Sequence, residues 1–175
     1  MAKGISVYFG EQNFLEIEKY VHLACSLGYQ KVFTSLHLPE VDFKPLLNDF
    51  TKLGNLCNTL DMELMVDVSP KSFSYFSYGN FLDYMENSCV GLIRIDFGLS
   101  NEVVVKLSNS NRNFKIALNA STLLPVAFEN LVDDGLNLKN IEMCHNFYPR
   151  PETGISENFL FKQTDYATLN FEVQF

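Results

Sequence analysis

The sequence predicts an α/β fold of the TIM (β/α)8-barrel type, incomplete, with about six βα units and the start of a seventh strand in 175 residues. Three observations predict it. Short apolar runs of strand length recur at intervals of about 25–30 residues, the span of one strand, one helix and two loops. Helix-like stretches fill the gaps between them. Nearly every run ends in polar side chains, which a barrel aims at one central mouth, whereas a doubly wound sheet concentrates them at one crevice.

Strands are expected at residues 5–9, 31–35, 63–68, 91–97, 114–118 and 140–144, with a last one beginning at 171–175. The first helix is expected over 14–27, closing at Gly28, where a residue without a side chain suits a helix C-terminus. The second, over 43–60, carries Leu46, Leu47, Phe50, Leu53 and Leu56 at helical spacing. A shorter helix is expected over 81–87, then one over 101–107 with Ser100 as N-cap, and one over 124–132 ending near Gly135. Strands that alternate strictly with helices pair in parallel through right-handed crossovers. No linker, low-complexity tract or charge block interrupts the pattern.

Apolar residues make up 47% and charged residues 19%, a composition that builds a core. Thirteen Lys and Arg against 21 Asp and Glu give a net charge of -8, which repels phosphate backbones, so nucleic acid is not expected as a partner. No apolar run approaches the ~20 residues that cross a bilayer, and Met1-Ala2-Lys3-Gly4 leads into a strand without the apolar region of a signal peptide. A membrane partner is not expected either. Cys25, Cys57, Cys89 and Cys144 are widely spaced, without a CxxC pair or a Cys/His cluster at zinc spacing, and read as scattered reduced thiols. The sequence implies no metal and no cofactor.

Side chains alternate across a strand, so Arg94 and Asp96 share one face while Ile93, Ile95 and Phe97 share the other, toward the helices. Burying an Arg and an Asp is costly unless they are paired or line a wet mouth, so both a functional site and a structural ion pair fit. The same parity groups Asp67 with Ser69, and Glu142 with Cys144 and Asn146. Asn119 ends the fifth strand, where its amide suits a hydroxylated ligand. Two acids in different environments are what glycoside cleavage requires, and Asp67, Asp96 and Glu142 are the candidates. The same acids also suit a divalent metal, or proton abstraction beside a carbonyl, and spacing does not choose between these chemistries. Pro149 and Pro151 stiffen the loop around Arg150, which is suited to fork onto a phosphate or carboxylate, and Tyr148 is placed to stack on a sugar ring. A rigid turn packed on the barrel would use the same residues. His145, at a strand end, and His37, in the loop at 35–40, are further binding candidates, while His22 inside the first helix reads as structural or simply exposed.

The strings Ile5-Ser6-Val7-Tyr8-Phe9-Gly10, Phe33-Thr34-Ser35-Leu36-His37, Val66-Asp67-Val68-Ser69-Pro70, Leu92-Ile93-Arg94-Ile95-Asp96-Phe97-Gly98, Leu118-Asn119-Ala120-Ser121-Thr122 and the segment 144–154 resemble the bacterial 6-phospho-N-acetylmuramidase family. The motifs fall in order at six successive strand ends. The resemblance implies a cytoplasmic glycoside hydrolase of cell-wall (peptidoglycan) recycling, acting on N-acetylmuramic acid 6-phosphate–N-acetylglucosamine, a disaccharide delivered by a sugar phosphotransferase system. It also implies a barrel followed by a smaller cyclophilin-like domain, so that this chain corresponds to the N-terminal part and lacks the last strands and the second domain. The matching strand-end residues are Asp67, Arg94, Asp96, Asn119, Glu142, His145, Asn146, Tyr148 and Arg150. On this reading Asp96 and Glu142 form the catalytic acid pair, Asn119 and Asn146 orient hydroxyls, and Arg94 or Arg150 meets the phosphate or lactyl group. An open sheet would also expose edges through which copies self-associate. Two alternatives use the same barrel: a phosphosugar lyase or isomerase, and a noncatalytic sugar-phosphate binder or inactive fragment. Only Lys71 stands near a strand end, which argues against a Schiff base.

Overall fold

The computed structural model describes residues 3–9, 13–36, 42–96, 98–120 and 123–144. Six strands, β1 (Gly4–Ser6), β2 (Lys31–Ser35), β3 (Glu63–Val68), β4 (Val90–Ile95), β5 (Lys115–Asn119) and β6 (Ile141–Cys144), lie side by side in chain order. All five pairings are parallel. The crossovers carry α1 (Phe14–Ser26), α2 (Leu47–Thr59), α3 (Pro70–Phe73), α4 (Tyr78–Asn87), α5 (Asn101–Ser108) and α6 (Pro125–Asp133). Among the described residues the sheet is not closed: β1 and β6 are its edges, as in an incomplete barrel.

Local chemistry sets the helix ends. Asn13 and Glu16 form a reciprocal capping box on α1, and the Ser77 and Ser100 hydroxyls accept from the first turns of α4 and α5. Gly28 and Gly135, at φ of 80° and 96°, follow α1 and α6 in the left-handed region that favours glycine. The crossover expected to hold one helix at 81–87 holds two. Ser69 caps α3 with Pro70 at its first position, and α4 starts three residues early, behind Ser77. Phe73 and Phe81, with ring centroids 4.4 Å apart, join α3 to α4, and Phe50 and Tyr84, at 5.6 Å, join α2 to α4. At Gly54 in α2 a side chain would overlap the Ser88 carbonyl, so the helices approach closely only because that position is bare. Between sheet and helices, Val32, Leu64, Val66, Ile93 and Ile116 bury one strand face against Ile17, Val21, Phe50 and Leu53.

The other strand face is concave, and its register shows how it curls. Backbone pairing runs Ser35, Asp67, Arg94, Ala117, Glu142 across β2 to β6. Yet the β2 side chain that meets Glu142 is Lys31, the first residue of the strand, with Nζ 4.0 Å from a Glu142 carboxylate oxygen. Contact between β2 and β6 requires both to face a common interior. An offset from position 35 to position 31 over four strand steps is one residue per strand, the slant of an eight-stranded barrel with a shear of eight. In such an interior alternate strands contribute each tier. Lys31, Leu92 and Glu142 make a lower tier, and Phe33, Arg94 and Cys144 the next even-strand tier above it.

Candidate active site

At the C-terminal ends of β3 and β4, Arg94 Nη1 donates to Asp67 Oδ2 at 2.8 Å, with only 6% and 8% of the two side chains exposed. The two residues are direct register partners, so the backbone itself brings them together. The guanidinium lies over the Phe33 ring, 5.7 Å from its centroid, and Tyr8 packs edge-on against Phe33 at 6.3 Å. Cys144 reaches Arg94 from β6; burial raises its thiol pKa, and the hydrogen bond and charge of Arg94 partly oppose that rise. Arg94 Nε has no hydrogen-bond partner among the described residues. Asp96, half-buried, stands just past the end of β4, where its backbone N–H donates to the Val68 carbonyl at 3.0 Å. Asn119 is buried at the end of β5, in register with Cys144. Asp67, Arg94, Asp96 and Asn119 thus occupy the ends of three neighbouring strands.

Glu142 belongs to the opposite end. Lys115 Nζ binds it at 2.7 Å, and Lys31, itself 2.5 Å from Glu63, approaches its other oxygen. Lys31, Glu63 and Lys115 are the first residues of β2, β3 and β5, so Glu142 lies in a half-exposed charge network at the N-terminal side. The hydrogen bond to Glu142 is the main reason the Lys115 pKa is raised. Asp96 stands four positions above Leu92, the tier-mate of Glu142. That separation is about 13 Å of strand, or about 10 Å along a barrel axis to which strands tilt by ~36°. Glu142 is thus tied to the strand starts while Asp96 stands past a strand end, because side-chain parity identifies the face of a strand and not its height in a slanted barrel. Asp67 and Asp96 are the acids at adjacent strand ends.

Ser69, expected to share a face with Asp67, is engaged in capping α3, its Oγ accepting from the Lys71 N–H at 3.3 Å. Sequence reasoning missed Phe33 and the lysines Lys31 and Lys115. Their signal was the even spacing Lys31, Phe33, Ser35, which repeats the parity of the interior face. His37, His145, Asn146, Tyr148 and Arg150 lie outside the described residues, as does the run at 171–175. Among the described residues no three or more His, Cys, Asp and Glu side chains gather as a metal site, and no helix is long and apolar enough to cross a membrane.

A family model described as 6-phospho-N-acetylmuramidase, N-terminal, matches residues 3–174. Among solved structures, the chain is similar to a conserved Enterococcus faecalis protein of unknown function, at 30% identity and a TM-score of 0.71, covering 96% of this chain and 46% of that one. It is similar also to an uncharacterized B. cereus protein, at 27% identity and a TM-score of 0.68, covering 93% and 43%. A Thermotoga maritima phospho-2-dehydro-3-deoxyheptonate aldolase shares the fold alone, at 12% identity and a TM-score of 0.58 over 85% of this chain and 43% of that one. No curated protein matches the chain. The chain spans less than half the length of these structural relatives. With the family model aligned over nearly its whole length, the chain belongs to the 6-phospho-N-acetylmuramidase family, to whose N-terminal region it corresponds.

Proposed function

We propose that this chain forms the acid-bearing part of a cytoplasmic glycoside hydrolase that cleaves the β-1,4 bond of N-acetylmuramic acid 6-phosphate–N-acetylglucosamine during peptidoglycan recycling. The observation that carries the reading is the buried Asp67–Arg94 pair, with half-buried Asp96 beside it, at the strand ends where barrel enzymes hold their chemistry. Hydrolysis needs one carboxyl group that gives a proton to the glycosidic oxygen and one carboxylate that stabilises or attacks the anomeric carbon, directly or through water. Asp96, half-buried just past the end of β4, takes the first role. Asp67, with Arg94 at 2.8 Å, takes the second. The bond between the muramic acid C1 and the glucosamine O4 breaks, O4 takes the proton, and water supplies hydroxide to C1. Asn119 orients a ring hydroxyl, and Arg150, which the sequence sets between two prolines, is the candidate for the 6-phosphate.

Turnover of the phosphorylated disaccharide by the protein and by Asp96→Asn tests the assignment. The expected result is a fall of at least ~100-fold with an unchanged melting temperature. A near-normal rate in the variant would remove Asp96 from catalysis. An unphosphorylated disaccharide is expected to react more slowly, and equal rates would count against the substrate.

A further inference from the structure

We propose that Phe33 is a positioning residue of this site, holding Arg94 on Asp67, and that Arg94 consequently serves the uncharged part of the sugar and is not the anchor of the 6-phosphate. This deepens the glycosidase reading and rests on it. Phe33 stands apart from the residues that form the hydrophobic core between sheet and helices. Its ring contacts are instead Tyr8, edge-on at 6.3 Å, and the Arg94 guanidinium, 5.7 Å away. A cation over an aromatic face gains most when water is excluded, and Arg94 is only 5% exposed. The ring therefore restrains the guanidinium plane from one side, Asp67 fixes its edge, and Tyr8, two residues past β1, braces the ring.

The charge balance argues the second half. Asp67 at 2.8 Å compensates the positive charge of Arg94, and a phosphate drawn to the same guanidinium would meet that carboxylate at close range in a buried setting. A neutral hydroxyl or acetamido group meets no such repulsion. Arg94 Nε, without a partner among the described residues, offers a donor to an oxygen of that kind.

The test compares Phe33→Leu, which keeps apolar bulk and removes the ring, with Phe33→Trp, which restores a face for the cation. Two disaccharides differing only in the 6-phosphate are the substrates. In Phe33→Leu, kcat should fall about fivefold on both, with the ratio of their KM values unchanged, and Phe33→Trp should recover most of the loss. A KM that rises for the phosphorylated substrate alone would make Arg94 the phosphate anchor and overturn the proposal. So would a Trp variant, folded with a normal melting temperature, that recovers nothing. The Arg94 Nε–H resonance in proton–nitrogen NMR gives a readout independent of turnover: slow exchange in the unsubstituted protein, fast exchange in Phe33→Leu, slow again in Phe33→Trp. Should neither disaccharide react, the glycosidase reading fails, and an unchanged resonance in Phe33→Leu would then overturn the positioning role by itself. If Phe33→Leu does not fold, Tyr8→Leu, which removes only the brace, decides by the same resonance.

Discussion

Two sets of ion pairs occupy the concave face of this sheet, and they differ in solvent rather than in chemistry. In the upper set, Arg94 and Asp67 expose 6% and 8% of their side chains. In the lower set, Lys31–Glu63 and Lys115–Glu142 are as short, at 2.5 and 2.7 Å, but their side chains are 29–52% exposed. Exposed pairs contribute ~0–1 kcal/mol, because water competes for both partners. Desolvating a charge costs several kcal/mol, so a buried pair is favourable only against the alternative of a buried single charge. The lower network ties β2 to β6 across the interior at little cost and with little gain. The upper pair is held under a constraint that stability alone does not require, which is why function is sought there.

Breaking the upper pair on one side should give the largest effect. Arg94→Met keeps the length of the side chain and leaves the Asp67 carboxylate without its guanidinium, for an expected loss of about 3–5 kcal/mol in denaturant unfolding. Adding Asp67→Leu should restore much of it, since both charges are then gone. A single-variant loss under ~1 kcal/mol would mean that the upper pair is as wet as the lower one, and the contrast would collapse.

Thiol reactivity sharpens the same contrast, because only thiolates react and only where reagent reaches them. Exposed Cys89 should alkylate first. Cys144, beside Arg94 and raised in pKa by burial, should react more slowly, and more slowly still in Arg94→Met if the site stays closed, because the cation that opposes the rise is lost. Cys57, buried in the core and pushed up to about 12, should wait for unfolding. Mass spectrometry of a timed iodoacetamide reaction reads the order, and Cys144 labelling as fast as Cys89 would place water in the upper tier.

The sheet was legible in the sequence because strand runs, polar strand ends and glycine or serine helix boundaries are local signals. Ser100 and Gly28 act at the positions where their chemistry suggests. The helix α3 was missed although Ser69-Pro70 is a start signal, because a four-residue helix leaves no periodicity to read. The face of Asp67, Arg94 and Glu142 was legible from parity. Their heights were not, since the slant of a barrel arises from the register between strands, and one strand carries no record of its neighbours' stagger. Glu142 and Asp96 therefore looked equivalent as strand-end acids and lie at different levels.

The smallest effect is expected at Glu142, and it is the sharpest test of the two-tier description. Glu142→Gln removes the hydrogen-bonded charge that raises the Lys115 pKa, in a group largely open to solvent. A raised lysine pKa contributes stability below its unfolded value and loses it as pH rises through the folded value. The bridge is therefore intact at neutral pH and fades only in alkali, and the variant should lose no more than ~1 kcal/mol at pH 7 while showing a weaker alkaline decline. Turnover should stay within a few-fold of the unsubstituted protein, because about 10 Å of barrel axis separates this tier from Asp96. A hundredfold loss of turnover in a stably folded Glu142→Gln would sink the description, since a carboxylate tied to two lysines at the far end of the barrel would then be serving the sugar.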